Sequence, residues 1–196
     1  MDSVLSVTAQ CKQRETQVQA QSESSRFEQT MLSHLDAAYN LARWLTRNDT
    51  DAEDVVQEAY LRAFKFFAGF HGDNSRAWLL KVVRNACYTW LQQNRARELT
   101  DSIDETDEEV ALDFANPELR LLQAADSQMV REALAELPLE FREVVVMREL
   151  EELSYKEIAA IADLPIGTVM SRLARGRKRL HSLLAARMGL ETKGGY

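Results

Sequence analysis

The sequence predicts an all-α fold: two small helical domains joined by an acidic, extended linker. Three observations carry that expectation. The 196 residues include only seven glycines and three prolines, which favours a mostly helical chain. Apolar residues recur at three- and four-residue spacing through most of the chain, the period of a helix with one buried face. No alternating strand pattern stands out, and no internal repeat is found.

Residues 1–25 are rich in Gln and Ser and poor in large apolar side chains, which predicts a disordered tail. A first domain is expected over 26–97. It opens with a helix over 27–47, where Phe27, Met31, Leu35, Ala38, Ala42 and Leu45 share a face. Asn48-Asp49 marks a break. Thr50 and Glu53 have capping-box spacing, and Asp51 and Asp54 suit the positive end of a helix. A second helix is therefore expected over 52–67, burying Val55, Val56, Ala59, Ala63 and Phe66. A loop from Gly69 to Asn74 closes that unit.

The third helix, expected over 76–96, puts Leu79, Val82, Val83, Ala86 and Trp90 on one face. Its other face gathers Lys81, Arg84, Asn85, Tyr88, Gln92 and Arg95, with Trp78 at the edge. Cations track phosphates, rings stack on bases and amides read unpaired base edges, so this surface suits single-stranded nucleic acid. A solvated basic face, with Trp78 in the core, is the competing explanation.

A linker is expected over 98–118, because the stretch 98–120 lacks a sustained apolar period and holds nine acids against one base. A flexible coil of that length averages roughly 25–30 Å end to end and reaches about 75 Å when extended. The second domain is expected over 119–190, followed by a short tail over 191–196. Leu121, Leu122, Ala125, Met129, Ala133, Leu134 and Leu137 form its first run, broken by Pro138. Phe141, Val144, Val145, Met147 and Leu150 form the next.

Residues 154–181 then read as a helix-turn-helix. Ser154 and Glu157 have capping-box spacing, so a helix should start at Tyr155, with Ile158, Ala159, Ile161 and Ala162 on its apolar face. Asp163-Leu164-Pro165 interrupts it, since proline stops one helix and suits the first turn of the next. In the second helix Val169, Leu173, Gly176 and Leu180 share one side, and Gly176 permits close packing. Ser171, Ala174, Arg175 and Lys178 lie opposite, flanked by Arg172, Arg177, Arg179 and His181. No acid occurs between Asp163 and Glu191. Short groups near the helix start approach base edges while Arg and Lys neutralise phosphates, which suits a DNA groove.

The net charge of −7 looks wrong for a DNA binder until it is divided along the chain. Stretches 1–26, 27–97 and 121–196 carry 0, +1 and 0, so the whole acidic excess sits in 98–120. Cys11 and Cys87 are far apart and form no metal-ligand cluster, which favours a reducing cytosol. No signal peptide or membrane span is read from the sequence, so a cytoplasmic protein is expected. His34, His71 and His181 are too dispersed for a metal site. No His or Cys constellation and no phosphate-binding glycine loop points to an enzyme or to a cofactor.

Together these blocks resemble a family. The run from Asp51 to Phe64 resembles a signature of bacterial sigma factors. Phe70 to Asp73 with Ala77 to Leu79 resembles their next block. Leu137-Pro138 with Phe141 to Glu143, and Gly167 to Arg172, resemble their DNA-binding domain. The order is that of the extracytoplasmic-function (ECF) group, which has sigma domains 2 and 4 only.

The resemblance implies roles position by position. Asp54, Gln57 and Glu58 match positions that dock the clamp helices of the polymerase β′ subunit, and the β subunit is a further implied partner. Phe70, Arg76, Trp78, Lys81, Arg84, Asn85, Tyr88 and Arg95 fall on the surface that takes the promoter −10 element, Asn85 near the pocket for an extruded base. Thr168, Met170, Ser171, Arg172, Ala174, Arg175, Lys178 and Arg179 fall on the surface that reads the −35 element, with Met170 where relatives are often basic. The implied function is an alternative sigma factor that binds core polymerase and promoter DNA, held by a cognate anti-sigma factor and not inserted in a membrane. Two competitors are a stand-alone helix-turn-helix regulator, which has no use for the face from Lys81 to Arg95, and a sigma mimic that titrates an anti-sigma factor.

Overall fold

The apolar spacing over 27–47 gives helix, but not one unbroken rod. The computed structural model describes residues 24–98 and 128–188. It begins with α1 (24–31), winds through a tight turn at Leu32–His34, and continues as α2 (Leu35–Thr46). Phe27, Met31, Ala38, Ala42 and Leu45 are buried as expected. Leu35 is not: the three-residue turn shifts the phase of the helix and leaves it 42% exposed, while Leu41 is buried completely.

Arg47 takes a left-handed conformation (φ 64°) and ends α2. The cap of α3 (Asp49–Phe66) is Asn48, whose side chain accepts the Asp51 amide at 3.0 Å. The helix therefore starts ahead of the expected Thr50/Glu53 box, and Thr50 lies inside its first turn. Ala52, Val55, Val56, Ala59 and Ala63 face inward. Phe66 does not, at 63% exposure. A tight turn at Phe67–Gly69 swings the next residue in, and Phe67 meets Phe27 edge-on at 5.2 Å. Then α4 (Ser75–Glu98) buries Leu79, Leu80, Val83, Ala86 and Cys87, with Val82 and Trp90 half-buried. Burial pushes the Cys87 thiol up to about 12.

After α5 (128–135), Pro138 precedes α6 (Leu139–Val145). That helix runs on as a single wide turn over Val146–Leu150, closed by the Glu151 amide donating to the Val146 carbonyl at 3.1 Å. Widening the turn puts Val144, Val145, Val146 and Met147 in the core together. It also turns Leu150 out, 47% exposed, where the spacing had placed it inside.

The capping box expected before Tyr155 is present. Glu157 donates its amide to the Ser154 hydroxyl, and Ser154 returns its own amide to the Glu157 carboxylate at 2.8 Å. It starts α7 (Tyr155–Ala162), with Ile158, Ile161 and Ala162 buried. Asp163, left-handed at φ 57°, and Pro165 form the turn to α8 (Ile166–Arg187). Val169, Leu173 and Gly176 are buried, and Leu180 is half-buried. A Cβ on Gly176 would stand 2.8 Å from Val145 Cγ2 and 3.3 Å from Phe141 Cβ, so α6 and α8 meet as closely as glycine allows.

Helices α2, α3 and α4 pack on one another, and α6 and α7 each pack on α8. The two groups also touch, α4 against α7 and α2 against α6. Residues 1–23, 99–127 and 189–196, which hold most of both expected tails and of the linker, lie outside the described residues. Residues 24 and 25, counted with the tail, are already helical, and α4 runs through Glu98.

Replacing Ser154 with alanine should cost about 1 kcal/mol of stability at neutral pH by removing the cap. The Glu157 carboxyl is held below its usual range, first by the Ser154 hydroxyl and then by the Ser154 amide. A depressed carboxyl adds stability above the ordinary carboxylate range and loses it as pH falls through its own lowered pKa. The difference in urea unfolding between parent and Ser154→Ala should therefore shrink in acid. Equal midpoints at neutral pH would show that the box contributes nothing.

Candidate nucleic-acid interface

The outer side of α8 is an open surface. Met170, Ser171, Ala174, Arg175, Lys178 and Arg179 are all exposed on it, and Thr168 is half-buried near its start. Thr168 is bound back into the first turn, its amide reaching the Pro165 carbonyl at 2.9 Å and its carbonyl taking the Ser171 hydroxyl at 3.0 Å. Met170 is 53% exposed, an apolar group among cations on a surface with no acid of its own helix. Short side chains at the N-terminal end and cations further along give a helix that can enter a major groove and grip its phosphates.

Arg172 departs from that surface. Its guanidinium is turned back to the Glu143 carboxylate at 3.1 Å, with Glu140 at 3.8 Å. Arg177 is likewise paired, with Glu149.

The face of α4 is only partly open. Asn85 and Gln92 are exposed, and Lys81 is half-buried. Trp78 leans on Phe70 with ring centroids 5.0 Å apart, and Phe70 stacks on Phe67 at 6.2 Å. These rings join the loop after α3 to the start of α4 and bring Phe70 and Trp78 together. Arg95 lies within α4 near its end, where the described structure extends only to the backbone.

Three further residues of that face are engaged. Arg84 lies over the Tyr88 ring at 4.2 Å and donates to Glu143 at 3.0 Å. Tyr88 donates its hydroxyl to the same carboxylate oxygen at 2.8 Å. Burial first, and then the Glu143 charge, raise the Tyr88 pKa and keep the hydroxyl protonated as a donor. Arg76 donates to Glu151 at 2.6 Å.

Glu143 is thus the residue that sequence reading missed. It is completely buried, yet it gathers Arg84, Tyr88 and Arg172 from two helices far apart in the chain. The available signal was an acid within Phe-Arg-Glu-Val-Val-Val-Met, since a carboxylate in an apolar run needs partners. Its neighbour Arg142 is also buried, donating to the Ala135 carbonyl at 2.8 Å and making a long contact to the Leu45 carbonyl at 3.5 Å. Burial and the charge of Arg47 pull the Arg142 pKa down to about 10, which still leaves it charged at neutral pH.

A separate surface lies on α3. Asp54, Gln57 and Glu58 are exposed together at one-turn spacing, with Glu58 paired to Arg62. Leu61, one turn further along, is 72% exposed, so an apolar side chain continues the polar row. Among the described residues no helix is long and apolar enough to cross a membrane.

Comparison with known proteins covers both helical groups. Residues 31–97 match the family model described as "Sigma-70 region 2", and residues 127–180 match "Sigma-70, region 4". The chain is 33% identical over 159 residues to the ECF RNA polymerase sigma factor SigE of Mycolicibacterium smegmatis, covering 81% of this chain and 62% of that one. It is 34% identical over 137 residues to the ECF RNA polymerase sigma-E factor of Escherichia coli K12, covering 66% of this chain and 72% of that one. Among solved structures it is similar to the sigma factor RpoE of Bartonella quintana in complex with the anti-sigma factor NepR. The TM-score there is 0.68 at 34% identity, over 81% of this chain and 96% of that one. CnrH, solved with the cytosolic domain of CnrY, gives a TM-score of 0.58 at 27% identity, over 85% and 94% of the two chains.

Proposed function

This chain belongs to the ECF group of RNA polymerase sigma factors, and from that membership we propose how its surfaces divide the work of initiation. Asp54, Gln57 and Glu58 dock the β′ clamp helices, and the second helical group adds contacts to the β subunit. The outer face of α8 reads the −35 element as duplex. The face of α4, with Phe70 and Trp78 beside Asn85, takes the non-template strand of the −10 element. Holding a base outside the stack there offsets part of the few kcal/mol needed to unstack it. The chain acts by binding alone and needs no cofactor; polymerase performs the phosphodiester chemistry. It works in the cytoplasm, and a cognate anti-sigma factor restrains it, in line with the NepR complex of the Bartonella relative.

The observation that carries this division is the exposed row Ser171, Ala174, Arg175, Lys178 and Arg179 on the second helix of a helix-turn-helix. Arg172 is tied to Glu143, so changing it would disturb the fold as well as any DNA contact. Arg175 and Lys178 test the surface more cleanly. With Arg175→Glu/Lys178→Glu, promoter affinity of the polymerase complex should fall about ten-fold or more, since removing one interaction with a base or phosphate costs roughly 1–3 kcal/mol. Affinity for sigma-free core polymerase should stay at the parent value. Equal loss of both would mean that the DNA surface has been misplaced.

A further inference from the structure

The N-terminal end of a helix that enters the major groove is the part that meets base edges. In α8 that end, residues 166–171, reads Ile-Gly-Thr-Val-Met-Ser and carries no charge. Arg172, next in the chain, is turned back to Glu143 at 3.1 Å and so points away from the outer side. The outward cations Arg175 and Lys178 stand further along. The Ser171 hydroxyl already donates to the Thr168 carbonyl at 3.0 Å, which leaves it to act only as an acceptor. A bidentate grip on guanine needs Arg or Lys, and one on adenine needs Asn or Gln. Neither kind of side chain occurs in this stretch. What does face outward is Met170, 53% exposed, with Ile166 one turn before it and Ala174 one turn after it, both also exposed. Gly167 has nothing within 4 Å of where its Cβ would lie, so the backbone there can come close to the floor of a groove.

We propose that Met170, backed by Ala174, is a specificity residue that reads the C5 methyl of thymine in the −35 duplex. The proposal rests on the assignment of this face of α8 to that element. Among the four bases only thymine presents a methyl in the major groove, and an apolar side chain is its natural partner there. The methionine side chain is unbranched and polarisable, so it can close over a methyl without fine alignment. One methyl covered in this way is worth about four-fold in affinity. Arg175 and Lys178 neutralise phosphates whatever the sequence, so they supply affinity while Met170 supplies discrimination. A short apolar row ringed by cations matches a polyanion that carries methyl groups better than it matches a broad apolar protein surface.

The test uses the full chain assembled with core polymerase, and a duplex that this complex enriches from a library randomised across the −35 window. Deoxyuridine then replaces thymidine in that window one position at a time, which removes the methyl and keeps every hydrogen-bonding group. At one position or more the replacement should weaken binding by the parent complex about four-fold at fixed salt. Met170→Ala changes an exposed helical position to a good helix former, so the fold should hold. It should lose about as much on the thymidine duplex and no longer distinguish thymidine from deoxyuridine there. An enriched window without thymine, or equal binding of every deoxyuridine duplex by the parent, would overturn the proposal. A difference that persists in full in Met170→Ala would overturn it too, by placing the methyl contact on another residue. The Arg175→Glu/Lys178→Glu variant tells this failure from failure of the underlying assignment. If it binds the enriched duplex as tightly as the parent, the assignment of α8 to the −35 element fails, and the methyl contact with it. If it binds more weakly while no deoxyuridine matters, the assignment stands and only the methyl contact falls.

Discussion

Sigma-free core RNA polymerase is expected to bind the Gln57→Ala/Glu58→Ala variant at least about thirty-fold more weakly than the parent, because truncating a hydrogen-bonded charge at an interface typically costs 2–5 kcal/mol. Both side chains are exposed on α3 and neither is part of the core. The fold loses only the pair between Glu58 and Arg62, a one-turn surface ion pair worth roughly 0.3–0.5 kcal/mol. A large drop in affinity with an unchanged unfolding midpoint is therefore the signature expected. Leu61 beside them, still largely in water, adds an apolar surface that a partner would cover. Parental affinity in the double variant would remove α3 from the polymerase interface. That outcome would leave the helix-turn-helix as the chain's main claim to function.

The largest effect on stability is expected at Gly176. In an exposed helix, replacing glycine with alanine gains about 1 kcal/mol through backbone entropy. Here the new methyl would stand 2.8 Å from Val145 Cγ2, on a stiff, buried side chain of α6. Overpacking of that kind costs typically 1–3 kcal/mol. The clash outweighs the propensity gain, so Gly176→Ala should destabilise by about 1 kcal/mol net and Gly176→Val by about 3 kcal/mol. Urea unfolding of the two variants checks the order. A stabilised alanine variant would mean that α6 and α8 lie further apart than 2.8 Å permits. Because α8 carries the proposed −35 surface, the valine variant should also lose promoter binding, as a consequence of the fold rather than of any direct DNA interaction.

Much of this was legible from local rules. The capping box at Ser154 and Glu157, the proline-marked turn and the glycine on the inner side of α8 all depend on residues within one or two turns. What failed was phase. Leu35, Phe66 and Leu150 sit next to a tight or wide turn, and each was placed inside by a period that the chain does not keep there. The cap of α3 failed differently: Thr50 has the right partner spacing, but Asn48 lies ahead of it and closes the helix first. The open side of α8 was readable from its charges, and the closed side of α4 was not. Arg84 and Glu143 are 59 residues apart on different helical groups, and no local pattern pairs them.

Three exposed positions, Arg47, Glu152 and Asp163, share the left-handed backbone. For side chains with a Cβ that conformation costs roughly 1–2 kcal/mol, while glycine holds it freely and Asn or Asp is partly relieved by local hydrogen bonds. In a library of random substitutions these sites would reverse the usual rule that water-facing positions accept almost anything. Selection for folded chains should enrich glycine and asparagine at Arg47 and Glu152 and deplete valine and isoleucine at all three. Asp163, already among the tolerated few, should vary least. Tolerance at these helix ends follows torsion angle and not burial.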